Sequence, residues 1–554
     1  MPPDTAPGPF PETRAGIDTV PALLRWRRER GGHPLLICDD QRLGYAEADR
    51  SSAALARTLI GLGAGKGTHV GLLYPNGAGF VTAMLAAARI GAVVVPFSTF
   101  STAAELRTQL LDSDVEIMLT AASYRGHDYR QKLAEALDVP PADTTATLFT
   151  ENAPRLRRVL VGDRPGGTPE QAGDADLLTA LEDDVDPGDT LAVIYTSGST
   201  GAPKGAVHTH GGLLEHQRNL NRIRRLDADD RLFCNSPFFW IGGFAFGLLA
   251  TMTAGATLVC SVTTDAGATL DLLEREKPTV TNGFAAGVAA LSRHPSFPTR
   301  DLSFLRRGNL YPIMAPDARP ADPELRHNML GMTEAGSVVL LDGDDTDQPE
   351  HRRGSFGRPA PGFGTKVVDP DTGAPVDTGE IGELCLRGPY LMQRYYGRSR
   401  EDCFDGDGWF HTGDLVRTDP EGFVYFITRA GSMIKTAGAN VTPAEVAAAL
   451  TTVLGDRIHD AAVHVFGLPD PERGQVVAAV IATDTGSIIE HGAENGIGTN
   501  IEALIDDGEL RTALRTHLSA YKVPRRFAVC RHAEVPLLSS GKVDLPRLAE
   551  LFDG

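Results

Sequence analysis

The sequence predicts an α/β protein with more than one domain, and three observations support this. The chain has 554 residues, which is more than a single hydrophobic core usually organises. Over residues 18–427, apolar strand-like runs alternate with alanine-rich helical stretches, a pattern typical of α/β layering. After Arg429 the pattern begins again with a helix. We therefore expect a large multi-subdomain N-terminal α/β domain and a small α+β C-terminal domain.

The individual elements follow from hydrophobic patterning and turn residues. Continuous apolar runs at 70–74, 92–96 and 191–195 predict buried strands, and residues 80–89 predict a helix. Shorter strand-like runs at 383–387 and 422–427 follow Gly-rich turns and predict a β-rich subdomain at the end of the large domain. Thr442 and Pro443 suit the N-cap and first turn of the next helix.

These elements divide the chain into three parts. The proline-rich residues 1–16 predict a disordered tail, residues 17–430 the large domain, and residues 431–554 the small one. We place the boundary at Gly431, where glycine allows free backbone rotation. The polar, Gly-rich segment 484–500 predicts a surface insertion of unknown purpose.

Composition excludes several classes of partner. The formal net charge of −19 argues against nucleic acid and anionic membrane surfaces. The six cysteines lie far apart without a C-x-x-C pair, which indicates reduced thiols and a cytoplasmic location. The N-terminus lacks the apolar segment of a signal peptide or anchor. Residues 232–264 carry no charge, but glycines and threonines interrupt them, so we expect a buried helix and a buried strand rather than membrane insertion.

One segment indicates phosphate binding. Residues 195–205 include seven Gly, Ser or Thr residues and follow the predicted strand 191–195. Glycines let backbone N–H groups turn toward one anion, hydroxyls add donors, and a lysine adds positive charge. The spacing is not that of a Walker loop, and a plain surface turn remains the alternative. The candidate phosphate-binding residues are Thr196, Ser197, Gly198, Ser199, Thr200, Gly201 and Lys204.

This loop resembles the phosphate-binding signature of the adenylate-forming enzymes, which include acyl-CoA synthetases, luciferases and the adenylation domains of peptide synthetases. The resemblance continues in order through residues 330–334, 408–414, 429–445 and 539–542, and is closest to the fatty- and aryl-acid CoA ligases. It implies that ATP and Mg²⁺ convert a carboxylic acid to an acyl-AMP with release of pyrophosphate. Transfer to CoA then follows, in a monomer or homodimer whose small domain rotates about Gly431.

The resemblance also assigns roles to nucleotide-binding residues. Lys542 matches the catalytic lysine, although a lone lysine is usually only solvated. Glu334 matches the Mg²⁺ ligand, with Thr196 and Thr200 as possible partners, and a helix cap is the alternative. Asp414 and Arg429 match the pair on the ribose. Leu330 stands where tyrosine is usual, and the residues expected along the nucleotide are Gly308, Asn309, Gly331, Met332 and Thr333.

Two further segments resemble substrate-binding parts of the family. Trp240 stands at the mouth of the acid pocket in place of a histidine, and the organic part of the acid is expected to pack on Gly243, Phe244, Gly283 and Phe284. This favours an aryl or aliphatic acid over an acetate-sized one, whereas simple core packing is the alternative for these aromatics. Lys435 and Gly438 match the pantetheine tunnel, and an ordinary turn is the alternative there.

Other functions stay open at this stage. An amine or a free carrier protein could accept the acyl group in place of CoA. Nitrite could be activated for diazotisation of an aryl amine, and a nucleotide-binding module without catalysis forms a different class. His208 and His210 form an H-x-H pattern, but no third ligand is evident and we assign no metal to them.

Overall fold

The computed structural model describes residues 16–140, 147–162, 175–196, 204–284, 288–429, 434–436, 439–441, 443–455, 458, 460–470, 473–484, 507–515, 517–518, 520, 522–537 and 543–552. In chain order the strands are β1 Pro34–Cys38, β2 Gln41–Gly44, β3 His69–Leu73, β4 Val93–Pro96, β5 Ile117–Thr120, β6 Ser123–Tyr124, β7 His127–Asp128, β8 Arg158–Val161, β9 Thr190–Thr196, β10 Lys204–Thr209, β11 Arg231–Cys234, β12 Thr257–Cys260, β13 Val280–Asn282, β14 Arg307–Gly308, β15 Leu330–Met332, β16 Ser337–Leu341, β17 Arg358–Pro359, β18 Gly364–Val368, β19 Gly382–Arg387, β20 Phe410–Thr418, β21 Val424–Arg429, β22 Ile434–Thr436, β23 Ala439–Val441, β24 Ala462–Asp470, β25 Gly474–Ala482 and β26 Arg526–Cys530.

The α-helices are, in the same order, α1 Val20–Arg27, α2 Tyr45–Gly61, α3 Ala78–Ala88, α4 Ala103–Ser113, α5 Tyr129–Leu137, α6 Ala175–Asp183, α7 His210–Arg224, α8 Ala250–Ala254, α9 Ala266–Glu276, α10 Ala289–Ser292, α11 Pro443–Leu454, α12 Asp507–Leu514 and α13 Leu545–Ala549.

The chain forms two compact units. The first comprises Met1–Thr365 and Leu386–Phe410, and the second Lys366–Cys385 and His411–Gly554. The strands β18 to β21 therefore belong largely with the C-terminal residues. Gly431 lies outside the described residues, so the domain boundary there stays a prediction.

Two six-stranded sheets organise the first unit. Their strand orders are β14-β13-β11-β12-β1-β2 and β10-β9-β4-β3-β5-β8. Within them β2 and β10 run antiparallel to their neighbours, and the other pairs are parallel. Ligands bind such sheets at the carboxyl ends of the parallel strands, which are followed by the segments after β9 in one sheet and after β11, β13 and β14 in the other. The predicted α/β class is confirmed.

The predicted elements of the first unit appear with small shifts at their ends. The runs 70–74, 92–96 and 191–195 form β3, β4 and β9, and residues 80–89 fall largely in α3. Ten of the eleven residues of α3 are buried. Nearly all of these buried side chains are apolar, and five of the eleven residues are alanines, whose small side chains let neighbouring elements approach closely.

The uncharged segment 232–264 forms strand and helix, as its sequence predicts. It contains β11, a π-helix at Gly242–Leu249, α8 and β12. Gly255, with φ +78°, ends the helical part just before β12. Within the described part of the chain, no helix is long and apolar enough to cross a membrane.

Two sheets organise the second unit. One has the order β18-β19-β20-β21, and the other the order β23-β22-β25-β24 with β26 beside β25. Helix α11 begins at Pro443 as its sequence predicts, and its apolar side contributes Val446 and Leu450 to the core of this unit. The predicted insertion at 484–500 lies, after Asp484, outside the described residues.

Candidate active site

The phosphate-binding segment is the connection of a β-hairpin. Strands β9 and β10 pair in antiparallel fashion, and Lys204 lies directly opposite Thr196. The hairpin therefore fixes both ends of the loop, with a hydroxyl at one end and an ammonium group at the other. The predicted residues Ser197, Gly198, Ser199, Thr200 and Gly201 lie outside the described residues, and their role stays a prediction.

A tyrosine connects this hairpin to the predicted Mg²⁺ ligand. Lys204 Nζ lies 5.4 Å from the centre of the Tyr395 ring. The Tyr395 hydroxyl donates a hydrogen bond of 2.7 Å to Glu334 Oε1, and the backbone N–H of Met392 donates one of 2.7 Å to the Glu334 carbonyl. The tyrosine orients the carboxylate, the Met392 N–H fixes the backbone of Glu334, and the lysine lies beside the same tyrosine ring, an arrangement that suits a site for a metal-bound polyphosphate.

Tyr395 was missed by sequence reasoning. Its signal is weak: two adjacent tyrosines at 395 and 396 lie in an otherwise polar segment. Since the Tyr395–Glu334 contact spans 61 residues, no local sequence periodicity predicts it.

His208, on β10, binds the backbone next to Glu334. Its Nε2–H donates a hydrogen bond of 2.8 Å to the carbonyl of Thr333, the first residue of a short 3₁₀ helix that carries Glu334. Burial lowers the pKa of His208 to about 4, so the ring is neutral at pH 7 and donates from one nitrogen only. His210 Nδ1 accepts from the backbone N–H of Val20. Both histidines thus have hydrogen-bonding partners within the protein.

The predicted nucleotide residues Gly308 and Asn309 line one small cavity. Its volume is about 120 Å³, and Thr281 and Asn282 also line it. Gly308 has φ +108°, and a Cβ there would lie 1.9 Å from the Thr281 carbonyl oxygen, so only glycine fits. Asn309 Nδ2 donates to the Gly283 carbonyl at 2.8 Å and its Oδ1 accepts from the Gly283 N–H at 3.1 Å.

The next residues of the predicted nucleotide site lie on β15. Gly331 and Met332 pair with Val338 and Ser337 of β16. The 3₁₀ helix begins at Thr333 immediately afterwards, so the strand leads straight to Glu334. No side-chain hydrogen bond caps this helix, which does not support the alternative of a capping role for Thr333 and Glu334.

A second asparagine fixes the predicted acid pocket. Asn235 Oδ1 accepts from the Phe284 N–H at 2.8 Å, and its Nδ2 donates to the Phe284 carbonyl at 3.0 Å. Asn235 and Asn309 together therefore clamp the backbone of Gly283 and Phe284. Asn235 was missed by sequence reasoning, although an amide directly after a buried strand such as β11 is a usable signal.

Aromatic rings surround the predicted mouth of the pocket. The Trp240 ring lies 5.8 Å from Phe284, 5.5 Å from Phe239 and 6.2 Å from Phe100, all with edge-to-face geometry. Phe100 is 42% exposed and Phe284 53% exposed. Exposed aromatic edges of this kind suit contact with an apolar ligand. Phe100 was also missed, because it lies in a loop without an aromatic pattern.

Gly243 and Phe244 lie at the start of the π-helix. Both backbone N–H groups donate to the Trp240 carbonyl, at 3.0 and 2.8 Å. π-Helical turns are frequent at functional sites. The Phe244 side chain is fully buried, and its ring lies 6.4 Å from that of Phe80 in the hydrophobic core, so a pocket role for Phe244 stays a prediction.

The second unit contains the predicted ribose pair. Asp414 and Arg429 are cross-strand partners of β20 and β21, and Arg429 Nε lies 2.9 Å from Asp414 Oδ1. The backbone N–H of Asp414 donates to Thr412 Oγ1, and Arg429 Nη2 donates to the Thr412 carbonyl. Asp414 is 6% exposed, and its ion pair with Arg429 holds the carboxylate in one orientation.

The remaining predicted residues are described partly or not at all. Lys435 lies on β22 opposite Asn440 of β23, and its side chain is outside the described part. Gly431, Gly438 and Lys542 also lie outside the described residues. Their predicted roles as hinge, tunnel and catalytic residue stay predictions.

The fold is that of the adenylate-forming enzymes. The structure of amide bond synthetase McbA from Marinactinospora thermotolerans matches 96% of this chain and 100% of that chain, with a TM-score of 0.73 at 23% sequence identity. The chain belongs to the AMP-binding enzyme family, which matches residues 23–396.

Relatives extend this similarity over nearly the whole chain. A feruloyl-CoA synthase from Amycolatopsis sp is 32% identical over 512 residues, covering 90% of this chain and 92% of that protein. A Mycobacterium tuberculosis ligase, whose name describes joining CoA to a propanoyl group on a methyl-dioxo-octahydroindene ring system, is 30% identical over 553 residues, covering 97% of this chain and 99% of that protein.

Proposed function

We propose that this protein is an AMP-forming acid–CoA ligase. It joins a carboxylic acid to the α-phosphate of ATP, releases pyrophosphate and transfers the acyl group to CoA. The observation that carries the proposal is the Glu334 carboxylate, which is held by the Tyr395 hydroxyl. The ring of the same tyrosine lies beside Lys204, at the end of the hairpin's connecting loop. Membership of the AMP-binding family and the CoA-ligase relatives support it.

The first half-reaction needs positive charge around oxygen atoms. A carboxylate oxygen attacks the α-phosphorus, the bond to the β-phosphate bridging oxygen breaks, and the electron pair leaves with pyrophosphate. Lys204 supplies charge at the end of the phosphate hairpin, and Lys542 is proposed to stabilise the reacting oxygens. Asp414, oriented by Arg429 and Thr412, is proposed to accept hydrogen bonds from the ribose hydroxyls.

The oxygen donors around Glu334 fit a magnesium ion. Mg²⁺ in ATP-dependent enzymes takes one or two carboxylates together with substrate phosphates, and Glu334 supplies one oriented carboxylate. Thr196 and Thr200 at the phosphate hairpin are the proposed hydroxyl partners. When bound, the ion neutralises charge on the phosphates. Tyr395 then keeps the carboxylate in one orientation, and the Met392 N–H fixes the backbone of Glu334.

We further propose an aryl or extended apolar acid as the substrate. The exposed edges of Phe100 and Phe284, next to Trp240, offer an aromatic mouth for such a group. The relatives named for feruloyl and ring-bearing propanoyl groups support this class of acid. Lys435 and Gly438 are proposed to line the path of the pantetheine arm, in which glycine leaves room for the thiol.

The test is pyrophosphate release from ATP and Mg²⁺, measured with a panel of aryl acids, aliphatic acids and nitrite, each with and without CoA or an aryl amine. We expect release with an organic acid and a product of CoA-thioester mass. Release with nitrite alone, increased by an aryl amine and unaffected by CoA, would replace the carboxylate with nitrite. The CoA-ligase relatives do not favour that alternative. Nucleotide binding without release from any compound would contradict the proposal.

A further inference from the structure

A separate group of ligating side chains lies on β19 and β20 of the second unit. Glu383, Cys385 and His411 each provide one donor atom, and these atoms all lie within 4.8 Å of one another. His411 Nδ1 lies 2.7 Å from Glu383 Oε2 and 3.5 Å from Cys385 Sγ. Oxygen, sulfur and nitrogen donors thus converge on one point.

Strand geometry creates this convergence. Glu383 and Cys385 are two residues apart on β19, so their side chains leave the same face of the sheet. His411 lies near the start of β20, the neighbouring strand. All three donors therefore come from paired strands rather than from loops, which limits the rearrangement needed to bind a ligand.

We propose that Glu383, Cys385 and His411 form a binding site for a thiophilic divalent cation such as Zn²⁺. Zinc accepts thiolate, imidazole and carboxylate ligands, and its bond lengths of about 2.0–2.3 Å need donors separated by roughly 3.5 Å, close to those observed. The thiolate distinguishes this cation from Mg²⁺, which prefers oxygen ligands. The His411 side chain is 42% exposed, so water can complete the coordination from the solvent side.

The site is distinct from the proposed nucleotide contacts. His411 is exposed and contacts Glu383 and Cys385, whereas Asp414 is buried and pairs with Arg429. Glu383 Oε1 accepts a hydrogen bond of 2.8 Å from the Gly413 N–H, while Oε2 is directed to His411. A cation takes the position of the proton between Oε2 and Nδ1 and leaves the Gly413 bond in place. Binding also releases the Cys385 thiol proton to solvent.

The test uses the full-length protein, stripped of metal with a chelator and titrated with Co²⁺, which reports thiolate ligation through a charge-transfer absorption band. We expect one equivalent of Co²⁺ to produce the band and Zn²⁺ to displace it. Cys385→Ser abolishes the band, and His411→Gln and Glu383→Gln weaken binding of both ions. The controls are Cys403→Ser, at another cysteine, and His532→Gln, at a histidine whose Nε2 lies 3.8 Å from Asp460 Oδ2.

The outcomes separate the proposal from adventitious binding. Retention of the band in both controls, together with its loss in Cys385→Ser, supports the site. Absence of the band in the wild type, its persistence in Cys385→Ser, or its loss in either control overturns the proposal. If circular dichroism shows that Cys385→Ser does not fold, the Zn²⁺ affinity of His411→Gln is the test, because His411 is half-exposed. An affinity equal to that of the wild type rejects the site.

Discussion

Side-chain hydrogen bonds to charged or backbone groups fix the geometry of the candidate site. Tyr395 acts on Glu334, His208 on the carbonyl beside it, and Asn235 on the backbone of Phe284. Each contact joins residues far apart in the chain. Changing one of these side chains therefore tests the site without removing a whole element.

Tyr395→Phe removes the hydroxyl on Glu334 and retains the ring beside Lys204. A hydrogen bond to a charged group contributes about 1.5–3 kcal/mol, so we expect kcat/KM for pyrophosphate release to fall roughly 10- to 100-fold. The Mg²⁺ concentration needed for half-maximal rate should rise. Tyr396→Phe is the matched control, because that hydroxyl donates to Asp114 instead. Equal losses in both variants would remove the special role of Tyr395.

Phe284→Ala tests the aromatic mouth. The side chain is 53% exposed and contacts Trp240, so its removal should affect stability little. We expect KM for the acid to rise about tenfold, since one aromatic contact is worth on the order of 1 kcal/mol or more, whereas KM for ATP stays unchanged. Phe149→Ala, at a ring that is 80% exposed, is the control. An unchanged KM for every acid would mean that the acid does not bind against Phe284.

At the scale of elements, backbone geometry determines where the site residues lie. Gly308→Ala should lower the unfolding midpoint and reduce nucleotide binding, because the added Cβ would lie 1.9 Å from the Thr281 carbonyl and break the pairing of β13 with β14. We expect a loss of stability on the order of 3 kcal/mol. Gly126→Ala is the matched control, since it also has positive φ, +78°, but no atom within 4 Å of its Cβ. Similar thermal shifts in both variants would mean that the contact with Thr281 is not decisive.

Three buried histidines, at the end of β10 and on α7, should make the free energy of unfolding depend on pH. Burial lowers the pKa of His208, His210 and His216 to about 4, below the ordinary value of 6.5. The unfolded chain therefore binds more protons between pH 6.5 and pH 4. The stabilisation from the neutral rings is complete above about pH 6.5 and is lost as the pH falls toward 4, by roughly 3 kcal/mol for each histidine.

Urea unfolding at pH 7, 6 and 5 measures this dependence. In His216→Gln the slope of unfolding free energy against pH should become shallower, because one of the three groups no longer titrates. His351→Gln, at an exposed histidine, should leave the slope unchanged. A slope that is the same in the wild type and in His216→Gln would contradict the assignment.

The sequence predicts elements better than it predicts their contacts. Strands β3, β4 and β9 are evident because continuous burial requires continuous apolar runs. The clamp on Gly283 and Phe284 is not evident, because Asn235 and Asn309 bind it from 49 and 26 residues away. Local patterning carries no information on such distant pairs. The family resemblance identified the Asp414 and Arg429 pair, whose cross-strand contact only the structure describes.

At the scale of the whole molecule, the two proposed half-reactions should separate by mutation. Lys542 and Gly438 both belong to the chain segment of the second unit, His411–Gly554. We expect Lys542→Ala to lose adenylation but to transfer the acyl group from a supplied acyl-adenylate to CoA, since its charge is proposed to act on the first step. Gly438→Leu should release pyrophosphate normally and form no thioester, because a side chain would obstruct the thiol arm.

Each half-reaction is measured by itself, the first by pyrophosphate release and the second by CoA-thioester mass. The two variants serve as controls for each other, because their defects are expected in opposite steps. Equal loss of both steps in Lys542→Ala, or an unchanged CoA rate in Gly438→Leu, would reject the corresponding role.

The division of the chain into two units also has a consequence during synthesis on the ribosome. Lys366–Cys385 leaves the ribosome before Leu386–Phe410, although the later segment belongs to the first unit. Tyr395 therefore reaches Glu334 only after part of the second unit has already been made. The first unit cannot complete its site during translation as an independent N-terminal piece. To produce the first unit alone, a designed linker must connect Thr365 to Leu386 in place of Lys366–Cys385.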